Sequence, residues 1–98
     1  MNAPTTNPTG IQDADQVRAT IRRHAEVLRH PEGFPDRLLY RSLAYLYAAY
    51  ALGSRTAAEE LDAQLAPGRR AARPSPEVAM GMARGFLRLA AEAGPAVT

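Results

Sequence analysis

The chain has ninety-eight residues, a net charge of +2 and no cysteine. That is enough length for one domain to bury well over half of its unfolded surface, and it excludes disulfides, thiolate nucleophiles and cysteine-ligated metal. All twelve basic residues are arginine, but ten carboxylates are interspersed with them, so the field available to attract nucleic acid is weak.

Residues 1–10 carry Asn, Thr, Pro and Gly without a periodic apolar residue, a composition that predicts a disordered tail. They also lack a basic start followed by an apolar core, so no signal peptide is expected and the cytoplasm is the default location. The single helical domain is then expected over 11–94, with a short tail at 95–98.

Asp13 and Gln16 have the spacing of a capping box and open a helix near 13–30, with Ala14, Val17, Ile21, His24 and Leu28 forming its apolar stripe. Pro31 and Gly33 end it. His24 and His30 are the only histidines, and six positions apart they do not share a helix face. A core-edge role is expected for His24 and a last-turn role for His30, with no metal site.

The next segment organises the rest. From Leu43 to Leu52 ten consecutive residues are apolar or aromatic, and the helix predicted over 35–52 is apolar nearly all round. It is too short and too closely flanked by arginines to span a membrane, so it must be covered by other elements or by another molecule. Pro35 suits its first turn, and Gly53 its C-cap. Its four tyrosines, Tyr40, Tyr45, Tyr47 and Tyr50, each carry a polar tip that seeks a partner. They are expected at the edges of the core or on an interface.

Thr56 with Glu59 suggests a second capping box and a short helix over 57–66, Leu61 and Leu65 inward. Residues 43–66, two helices joined at Gly53 with Ala58 five residues on, loosely resemble one tetratricopeptide unit. The second helix lacks the bulky aromatic of that family and the unit is not repeated, so no family is assigned. Residues 67–74 concentrate Arg69, Arg70 and Arg73 between prolines, and Ser75-Pro76-Glu77 starts a last helix over 75–93. Val78, Met82, Phe86, Leu89 and Ala93 are read as its main stripe, widened by Ala79, Ala83, Leu87 and Ala90. Gly81 and Gly85, one turn apart, each cost about 1 kcal/mol against alanine, which suggests that a close backbone approach compensates.

No phosphate loop, nucleophile elbow or histidine–carboxylate metal spacing is present, and Ser42, Ser54 and Ser75 have no base at a plausible spacing. The expectation is an all-α, small four-helix bundle-like domain with a central apolar helix and no catalytic residues, cofactor or metal. Functionally it reads as an interaction module: a small adaptor, chaperone or regulator binding a partner chain or itself, as a homodimer in the simplest case. The candidate surface is Tyr40, Tyr45, Tyr47, Tyr50, Gly81 and Gly85. One alternative is a nucleic-acid-binding regulator using Arg69, Arg70, Arg73, Arg84 and Arg88, in which 57–66 and 75–93 act as a helix-turn-helix. A further alternative is a pocket for a small apolar ligand lined by Tyr47, Tyr50, Met82 and Phe86.

Overall fold

In the computed structural model, residues 14–64 and 73–93 are described. They form four helices, α1 (Asp15–Arg29), α2 (Asp36–Ala51), α3 (Arg55–Gln64) and α4 (Pro76–Ala93), with a single 3-10 turn at Pro31–Gly33. The fold is all-α, and α2 is packed by each of the other three helices. None of the described helices is long and apolar enough to cross a membrane. The tails at 1–10 and 95–98, Asp13, Leu65, and Arg69 and Arg70 of the basic stretch lie outside the described residues.

Local chemistry sets most boundaries. Helix α1 begins after Ala14, which makes no side-chain cap. It ends where Pro31 redirects the chain into the 3-10 turn, closed by Gly33 N–H to His30 C=O at 3.0 Å and Phe34 N–H to Pro31 C=O at 3.2 Å. At the end of α2, Gly53 takes φ +100, a conformation that costs residues with a Cβ. Its N–H donates to Tyr50 C=O at 3.0 Å and that of Ser54 to Ala49 C=O at 2.9 Å, the paired bonds of a Schellman motif.

Helix α3 starts earlier than the Thr56 capping box implies. The cap is Ser54, whose Oγ accepts from Ala57 N–H at 3.1 Å, while Thr56 is buried inside the first turn. Ser54 thus ends one helix and begins the next, which holds the α2–α3 corner to a single geometry. At α4 the expected start is found: Ser75 Oγ accepts from Val78 N–H at 3.2 Å, and Pro76 takes the first helical position.

Packing divides into two parts. Ile21 and Ala25 of α1, Leu46 and Ala49 of α2, and Ala57 and Leu61 of α3 form one buried cluster. The length of the apolar run in α2 suggests that Leu43 and Tyr50 are as buried as Leu46 and Ala49, but both are only half-buried. Helix α4 lies along a different side of α2 and buries Ala79, Ala83 and Ala90 there. This inverts the expected stripe, since Val78 and Leu89 are exposed and Met82 and Phe86 half-buried. Small side chains let two backbones approach, so the alanine face makes the tight contact and the larger residues flank it. The expected close approach at Gly81 and Gly85 is not made among the described residues: a Cβ at either would meet none of them within 4 Å.

Candidate functional site

The four tyrosines do not form one surface. Tyr40 and Tyr47 both stack on Phe86 of α4, with ring centroids 6.5 and 5.9 Å apart, and so fasten α4 to α2. Burial pushes the Tyr47 phenol above its ordinary pKa. On the side facing α3, Tyr50 donates its hydroxyl to Pro74 C=O at 2.6 Å, tying down the entry to α4. Tyr45 faces α1 and stacks on His24 at 4.6 Å.

The apolar-ligand reading around Tyr47, Tyr50, Met82 and Phe86 meets a packing obstacle. The space beside Tyr47 and Tyr50 is a cavity of 20 Å³, about the room one water needs. Neither Met82 nor Phe86 lines it, and Phe86 is stacked on Tyr47.

The described arginines of the basic alternative are placed apart. Arg73 is engaged through Nε to Asp62 Oδ1 at 3.0 Å, with a second contact between the same two groups. Arg84 lines the opposite flank of α4, where Ala44 and Ala48 of α2 face it. Helices α3 and α4 each pack on α2 rather than as a helix-turn-helix pair.

His24 is the polar centre of the α1–α2 contact. Its Nδ1 lies 2.9 Å from Ser42 Oγ, a hydrogen bond whose donor depends on the tautomer. Burial, and then the neighbouring Arg23 and Arg41, hold the imidazole below its ordinary value of 6.5. A partner for Ser42 was therefore missed in the sequence, because eighteen residues separate it from His24 and only the antiparallel turn at Pro31–Gly33 brings them together. The pair has two parts of a nucleophile–base arrangement. Ser42 is wholly buried, however, and no carboxylate among the described residues holds the second imidazole nitrogen, so the contact acts as a polar clamp between helices. His30, as expected, sits at the helix end, its Nε2 3.1 Å from Glu26 Oε2. Among the described residues no group of three or more potential ligands could hold a metal.

Two surfaces are left open by the described residues. The first is the outward side of α4, where Val78, Gly81, Gly85 and Leu89 recur at helical spacing; Val78 is 55% and Leu89 41% exposed. The second is a groove of 320 Å³ between α1 and α4, floored by Ala44 and Ala48 of α2 and walled by His24 and Tyr45 on one side and Met80, Arg84 and Leu87 on the other. At His24 it meets a further hollow of 400 Å³ reaching Val27, Phe34 and Leu38.

No protein-family model, no curated protein and no solved structure matches this chain.

Proposed function

We propose that the protein is a non-enzymatic interaction module that pairs through the outward stripe of α4, with a second copy of itself as the simplest partner. The observation behind this reading is the pair Gly81 and Gly85. Each weakens the helix by about 1 kcal/mol relative to alanine, yet no described residue packs into the space they leave. Exposed Val78 and Leu89 lie on the same side, so a second helix crossing at the glycines would bury both. Tyr40, Tyr47 and Tyr50 support the module from within by holding α4 and its entry against α2, while Tyr45 stacks on His24 of α1 and borders an open groove.

Sedimentation velocity across micromolar concentrations tests the reading. The expected result is a mass that rises toward the dimer in the native chain and stays at the monomer in Gly85→Leu, with the helical circular dichroism of both unchanged. A native chain that remains monomeric throughout, or a Gly85→Leu variant that dimerises equally well, would overturn the α4 pairing.

A further inference from the structure

The groove between α1 and α4 is a different surface with its own chemistry. Along α2 its floor and edges are set by Leu38, Arg41, Tyr45 and Ala48, and Leu52, 41% exposed, continues the same spacing one turn further. The steps of three and four repeat the seam by which one helix receives another. From Leu38 to Ala48 the lining is about 15 Å long at 1.5 Å per residue, enough for nearly three turns of a docked helix.

Charge identifies the kind of helix. Arg23, Arg41 and Arg84 border the groove and its extension, and none of them pairs with a carboxylate among the described residues. The one carboxylate on the lining is Glu26, whose two oxygens are already taken by Arg29 and His30. Elsewhere Arg29 reaches Glu60 at 2.5 Å and Arg73 pairs with Asp62, both on the α3 side, while Arg22, Arg37 and Arg88 also lack a carboxylate partner among the described residues. The lining of the groove and its extension thus carries three unmatched arginines and no free carboxylate.

We propose that this groove docks an acidic amphipathic helix of a partner protein, its apolar face on Tyr45, Ala48 and Leu87 and its carboxylates against Arg23, Arg41 and Arg84. Apolar burial supplies affinity, and the arginines select for acidic over basic helices. This inference deepens the interaction reading by naming a partner class, and it uses the flank of α4 away from the glycine stripe.

Fluorescence anisotropy with a labelled synthetic helix tests it. The probe has leucine at the a and d positions and glutamate and alanine elsewhere over about three heptads; a control carries lysine for every glutamate. The expected result is saturable binding of the acidic probe, weakened at least about tenfold in Ala48→Glu and in Leu87→Glu. The paired change Arg41→Glu with Arg84→Glu should abolish acidic binding and confer binding of the lysine control. Both Ala48 and Leu87 are partly or largely exposed, so folding is retained and is checked by thermal melts. Equal binding of both probes to the native chain, indifference to Ala48→Glu, or displacement of the probe by dodecanoate at stoichiometric amounts would overturn the proposal. So would a dimer that dissociates in Ala48→Glu, since a second copy would then be the occupant. Gly85→Leu separates the two readings: it should abolish pairing through α4 and leave probe binding intact.

Discussion

At the scale of single residues, His24 links packing to pH. Its neutral form bonds Ser42 and stacks on Tyr45, while burial and two nearby arginines disfavour the proton. The folded pKa lies below the ordinary 6.5, so the unfolded chain binds the proton more readily. The stabilising contribution is therefore fully present above about 6.5 and is lost as pH falls through that value toward the folded pKa. Urea melts should show a lower midpoint at about pH 5 than at about pH 7.5, and His24→Gln should remove this part of the loss. The same decline in native and His24→Gln proteins would place the titration elsewhere. Ser54 illustrates another residue-scale economy: buried and shared by two helix ends, it leaves no room for the alternative cap at Thr56.

Among the elements, α4 has the most unusual division of labour. Its alanines are buried on α2 while several of its larger apolar residues are exposed, so size and burial run opposite to simple expectation. Ala83→Leu forces extra volume into the tightest part of the α2–α4 contact and should cost about 1–3 kcal/mol. Leu87→Ala, by contrast, removes a side chain that is 54% exposed, and should change stability by no more than about 0.5 kcal/mol. Denaturant melts of the two variants check the assignment, and a larger loss for Leu87→Ala would mean that the other face of α4 is the packed one.

For the whole molecule, α2 is the common support. Leu46 is wholly buried at the point where α1, α2 and α3 meet, and Leu46→Ala should cost about 2–5 kcal/mol, as other large-to-small core changes do. A loss under about 0.5 kcal/mol at unchanged urea slope would show that this cluster does not hold the fold. Helix α4 joins the bundle mainly through α2, so its docking is the contact that a partner on either open flank would reinforce.

Residue order alone determined the all-α class, the four helices to within two residues at most ends, the C-cap at Gly53, the cap at Ser75 and the central place of α2. These rest on local signals: periodicity, caps, and proline or glycine breaks act over a few residues and are legible along a chain. What lies between helices was not legible. The choice of the alanine face of α4 over its larger apolar face, the His24–Ser42 bond, the dispersal of the tyrosines and the separation of Arg73 from Arg84 all depend on how helices rotate about their axes. That rotation is decided by mutual packing of residues far apart in the chain. An apolar stripe wide enough to face in several directions does not specify it, because nearly every side of α2 and more than half of α4 could have been buried. Tertiary structure resolved the ambiguity by placing the smallest residues where backbones come closest, and in doing so left the α4 stripe and the arginine-edged groove uncovered.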